Sequence, residues 1–121
     1  MGTIKRFQPE TETYIEEGCY IVELQNSAAD ADCSIARARV APGATTRLHC
    51  LNGILERYVI LEGQGEVIIG DQPPQSVHEL DVVNIPAGVP QSICNTGHAD
   101  LIFLCICTPR FVTEKYQDLG Q

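Results

Sequence analysis

At 121 residues, 44% of them apolar, the chain has room for one domain with a genuine core. Sixteen acidic against eight basic residues give a net charge of −8, and the bases are scattered, which sets aside nucleic-acid binding. No apolar stretch approaches the ~20 residues that span a bilayer, and no hydrophobic run follows the charges of Met1 to Arg6 as it would in a secretory signal. A cytoplasmic protein is expected.

Tryptophan is absent, so the core falls to Val, Ile and Leu, of which the β-branched pair favours strands. Residues 1–17 are polar and acidic and read as an N-terminal arm or edge. A barrel-like domain over 18–108 follows, built strand after strand. Residues 19–24 form a short β-type run. From Cys33 to Val40 the chain alternates, with Ser34, Ala36, Ala38 and Val40 on one face and Cys33, Ile35, Arg37 and Arg39 on the other. Arg37 and Arg39 are expected on a solvated or subunit-contact face.

Pro42-Gly43 breaks the chain before a strand over 45–51, and Asn52-Gly53 turns it into a strand over 56–61. Gly63-Gln64-Gly65 reverses direction into 66–69. Short strands are predicted at 76–77, 82–85, 91–94 and 101–108, separated by turns at Pro86-Ala87-Gly88 and Asn95-Thr96-Gly97. Many short strands with Gly/Pro turns between them describe an all-β sandwich or barrel of two antiparallel sheets. The tail, 109–121, is predicted to form a short helix. The six cysteines include no CxxC pair and are expected to be buried free thiols.

Two segments carry chemistry. Gly43 is followed after five residues by His49, with Leu51 two further on, then Glu56 after four more and Gly63 after six more. Downstream, Pro86-Ala87-Gly88 is followed by Gln91 and then Asn95. Spacing and order resemble the two motifs of the cupins, with three departures: Leu51 stands for the second histidine of the first motif, Leu80 for the first glycine of the second, and Gln91 for its histidine. The resemblance implies a jelly-roll barrel of two antiparallel sheets. It also implies a divalent metal ion (Zn, Mn, Ni or Fe) held by His49, Glu56 and Gln91. The other reading of these residues is a decayed site, in which the same three form a hydrogen-bonded polar cluster.

On an extended strand His49 and Leu51 face one way and Cys50 the other, while Glu56 and Tyr58 share a face of the next strand. Tyr58 and Glu56 are the candidate catalytic groups, able to move a proton. Arg47 and Tyr58 are the candidate substrate contacts, Arg47 as a clamp for a carboxylate or phosphate or else a rim residue facing water. His78 and His98 lie beside turns and are expected to be exposed.

Two functions are open. One is a metal-dependent enzyme, isomerase- or epimerase-like, acting on a small polar metabolite such as a sugar or sugar acid. The other is a non-catalytic small-molecule-binding or accessory protein. The expected partners are a small ligand and a second copy in a homodimer, with neither nucleic acid nor membrane.

Overall fold

The computed structural model describes residues 2–120. Eleven strands lie in two antiparallel sheets. They are β1 (Thr13–Tyr14), β2 (Tyr20–Gln25), β3 (Ser34–Val40), β4 (His49–Leu51), β5 (Leu55–Glu62), β6 (Gly65–Ile69), β7 (Gln75–Val77), β8 (Val82–Ile85), β9 (Gln91–Asn95), β10 (Leu101–Thr108) and β11 (Tyr116–Asp118). One sheet runs β1-β2-β3-β10-β5-β8 and the other β11-β4-β9-β6-β7.

The alternation of the sequence is the reason for this layering. Along β5 every second side chain, Glu56, Tyr58 and Ile60, is buried. Along β3 the Ser34, Ala38 and Val40 face is buried. Arg37 and Arg39, on the opposite face, pair with Glu12, and Arg39 also reaches Asp100. Between the sheets Tyr58, Ile60, Val67, Ile85, Ile93, Leu101 and Phe103 form the main core, each large side chain worth ~1.5–3 kcal/mol of transfer from water. A second, smaller cluster of Leu51, Ile54 and Cys107 packs with Phe111 and Tyr116. All six cysteines are free; Cys19, Cys50 and Cys107 are buried.

The tail corrects an expectation. In place of a helix it forms one 3-10 turn at Thr113–Lys115 and then β11, which pairs with β4. The outer edge of β4 offers unpaired backbone groups, and pairing them outweighs what helix so short a segment could form. The only helical turns among the described residues are three 3-10 segments of three residues each.

Two motif residues act through the backbone. A Cβ on Gly65 would lie 2.5 Å from the Cys94 carbonyl oxygen, and one on Gly63 2.8 Å from that of Asp100, with Gly63 at φ +88°. This hairpin therefore sits too close to its neighbours for any side chain. Asn95 is fully buried. Its amide donates to the carbonyls of Val40 (2.9 Å) and Ala99 (2.8 Å), and its oxygen accepts from the Gly97 N–H (2.8 Å). Asn95→Ala removes three hydrogen bonds to backbone, one of them to the buried Val40 carbonyl, and is expected to cost about 2 kcal/mol. Urea denaturation checks this; a loss well below 1 kcal/mol would show that the loop holds itself.

Candidate functional site

Between the sheets, beside the smaller cluster, lies a cavity of about 90 Å³. It shares Glu17, Ile21, Phe111 and Tyr116 with an open groove of about 830 Å³ along the N-terminal segment. His49, Leu51 and Glu56 line its floor, with Cys105, Cys107 and Ser34 on the β3–β10 side.

Strand register sets the positions. His49 on β4 stands opposite Gln91 on β9 and Asp118 on β11. Glu56 on β5 stands opposite Cys107 on β10. His49 and Leu51 both face the cavity, while Cys50 turns away toward Asn52 and Gln117. His49 Nδ1 lies 2.7 Å from the Arg47 carbonyl oxygen. A carbonyl can only accept, so Nδ1 carries the proton and Nε2 is left as an acceptor. Tyr116, delivered by β11, stacks on the imidazole with ring centroids 5.1 Å apart.

His49 Nε2 lies 3.6 Å from Glu17 Oε1, too far for a hydrogen bond. Glu17 comes from the tight turn between β1 and β2, closed by the Gly18 N–H to the Ile15 carbonyl. The Arg47 N–H donates to the Glu17 carbonyl at 2.7 Å, tying that turn to the β4 approach. Glu56 is 7% exposed. The Cys107 thiol reaches its Oε2 at 3.8 Å, while Oε1 is the one buried side-chain oxygen or nitrogen among the described residues with no partner.

Two carboxyls in so dry a space give up their protons less readily than in water. Burial pushes Glu56 up to about 7, helped by the nearby Glu17 and opposed by Gln91 and His49. Burial pushes Glu17 up to about 7 as well. The same desolvation lowers the pKa of His49, favouring its neutral ring. It raises Tyr58 and Cys105 well above their ordinary values.

The other sequence candidates fall as follows. Tyr58 is buried in the core, and its hydroxyl donates to Gln91 Oε1 in a short hydrogen bond. Arg47 points outward and forms an ion pair with Asp118 at 3.1 Å. His78 and His98 are exposed and do not line the cavity. Sequence reasoning missed Glu17, Phe111 and Tyr116, which lie outside the motif spacing. The one local signal was the Gly18-Cys19 step, which marks a turn that could carry Glu17 inward.

His49, Glu56 and Gln91, the set implied by the resemblance, come near one another, with two features set against a full ligand shell. Gln91 commits its carbonyl oxygen to Tyr58, and Leu51 places methyl groups where a further ligand would stand. Among the described residues no three His, Cys, Asp or Glu side chains are grouped to hold a metal ion.

The cupin domain family matches residues 36–107. The chain belongs to the cupin family. An uncharacterised protein of Methanocaldococcus jannaschii is 33% identical over 122 residues, covering 98% of this chain and 97% of its own length. A crystal structure of an uncharacterised Klebsiella pneumoniae protein with a double-stranded β-helix domain superposes with a TM-score of 0.80 at 13% identity, over 98% of this cupin and all of that chain. That likeness is one of fold. A predicted oxalate decarboxylase from Thermotoga maritima gives a TM-score of 0.69 at 29% identity, covering 75% of this cupin and 80% of that chain. No helix among the described residues is long and apolar enough to cross a membrane.

The raised carboxyl values carry a pH consequence. A carboxyl with a folded pKa near 7 and an unfolded value near 4.5 favours the fold fully below 4.5. That contribution drains away as pH rises through 7. Glu56→Gln should therefore gain stability relative to the wild type between pH 5 and pH 8, read from denaturation midpoints at both. An equal difference at both pH values would refute the buried-acid account.

Proposed function

We propose that this cupin is a small-molecule-binding protein that holds a polar ligand in its barrel through Glu56, Glu17 and His49, without a resident metal ion. The observation that carries the reading is the unpartnered Glu56 Oε1 in the cavity wall. A buried carboxyl oxygen with no hydrogen bond is a standing cost of ~1–3 kcal/mol or more, and a bound ligand is the natural way to offset it. Tyr58 and Gln91 act behind the site: the hydroxyl fixes the amide, and Gln91 lies beside Glu56 and draws its pKa down.

The similarity to a predicted oxalate decarboxylase raises oxalate as a substrate. Oxalate is a dianion, and no Lys or Arg lines the inner cavity, where Glu17, Glu23 and Glu56 stand. The electrostatics therefore oppose that substrate.

A second reading is a metal-dependent enzyme, isomerase- or epimerase-like, on a sugar or sugar acid. The same free Glu56 oxygen on a wall shared with His49 favours it. Elemental mass spectrometry of untagged protein purified without chelators separates the two. The expected result is no stoichiometric Zn, Mn, Ni or Fe, before or after reconstitution, together with metal uptake by Leu51→His combined with Gln91→His. Stoichiometric metal in the wild type, lost in both His49→Ala and Glu56→Ala, would overturn the metal-free reading.

The proposal extends to assembly and setting. Six free thiols suit a reducing, cytoplasmic compartment. Strand β8 is the outer strand of its sheet, with Val82 on it and Leu61 nearby both exposed, which suits pairing with a second copy. Sedimentation equilibrium should give twice the 13.2 kDa chain mass, and Val82→Lys should halve it; a monomeric wild type would remove the dimer.

A further inference from the structure

On the reading of the barrel as a small-molecule pocket, we propose that the ligand is a small primary ammonium compound. Its nitrogen sits among Glu56, Glu17 and His49, and its carbon chain lies against Phe111 and Tyr116.

The inference comes from counting donors and acceptors. The polar atoms that the cavity leaves open are Glu56 Oε1, Glu17 Oε1 and His49 Nε2. Once a cation enters and both carboxyls, poised near 7, release their protons, all three atoms are acceptors with His49 in its Nδ1–H tautomer. No Lys, Arg, Asn or Gln side chain lines the inner cavity. The donors on the wall are the hydroxyls of Ser34 and Tyr116 and the weak thiols of Cys105 and Cys107, of which Cys107 already points at Glu56 Oε2.

Three acceptors, faced by two hydroxyls and two weak thiols and by no cationic or amide donor, match a group that has donors alone. An alkylammonium has three N–H donors and no acceptor. A sugar hydroxyl carries lone pairs as well, which would face these carboxylates without a donor to meet them. A carboxylate ligand would add a fourth acceptor and a like charge, and both are unfavourable in a space this dry.

The rest of the wall agrees. Phe111 and Tyr116 add aromatic surface, Tyr116 with one ring face stacked on His49, and aromatic rings attract cations. Leu51 and Ile21 supply apolar surface for a short carbon chain. With about 90 Å³ inside, the cavity takes an ammonium group and a few carbons, and a longer chain would continue into the groove past Glu16 and Glu23. The Leu51 departure from the family motif has a use here: it removes a polar group where the ligand's carbons begin.

The experiment is calorimetric titration of the untagged full chain with three probes of one chain length: propylammonium chloride, propanol and sodium propionate. Saturable binding of propylammonium is expected, at least about tenfold tighter than propanol, with no heat from propionate. Glu56→Gln and the more accessible Glu17→Gln should each weaken propylammonium about tenfold or more; Glu17→Gln keeps the test open if the Glu56 variant does not fold. Propanol or propionate binding as tightly as propylammonium would overturn the ammonium assignment while leaving a binding pocket in place. No binding of any probe to the wild type, or equal binding by both variants, would overturn the ammonium assignment and the pocket reading together.

Discussion

The molecule depends on the pairing of β10 with β5, and with β3 on its other side. Seven register pairs join β10 to β5 and seven join it to β3, which makes β10 the spine of the larger sheet. Phe103 from this spine packs tilted on Tyr58 at 4.5 Å in the main core. Further along the same ladder, Cys107 comes opposite Glu56 at the cavity. One ladder therefore builds the hydrophobic interior and places the carboxyl that interrupts it. A slip of one residue would turn both sets outward together, so stability and site geometry are specified by the same register.

Closing two sheets over polar side chains takes those groups out of water, and the fold answers this differently at each. Asn95 is satisfied threefold by backbone. Gln91 has its carbonyl oxygen met by Tyr58, and His49 Nδ1 is met by the Arg47 carbonyl. Glu56 is the exception, with one oxygen left bare. The carboxyl responds in the way available to it, by holding its proton more tightly than in water, and Glu17 does the same from the other side of the cavity. The cavity is therefore acidic in composition, yet its two buried carboxyls are only partly charged near neutrality.

Much of this was legible in the residues. Period-two alternation and Gly/Pro punctuation located the strands, because a sheet with one buried face imposes that pattern. The Gly43–Gly63 and Pro86–Asn95 spacings located His49, Glu56 and Gln91, since those motifs are local in the chain. Three things were not legible. The tail reads as a possible helix, and its strand state depends on a free edge of β4 that no local rule announces. The direction of the Arg47 guanidinium depends on Asp118, 71 residues away. Glu17 lies in an acidic stretch that looks like solvated arm, and only the turn closed at Gly18 carries it against His49.

The shared wall between cavity and groove comes from both ends of the chain. Ile15, Glu17, Ile21 and Glu23 come from the first strands and their turn, and Phe111 and Tyr116 from the last segment. The part that marks the chain as a cupin spans 36–107 and supplies the floor. On the proposed ligand reading, part of the selectivity is thus encoded outside the stretch that reveals kinship, while His49 and Glu56 lie within it. Two cupins can share an identical central signature and still admit different molecules, because the flanking segments can diverge without disturbing the ladder beneath. Comparisons meant to group such proteins by ligand should accordingly align the ends as well as the middle.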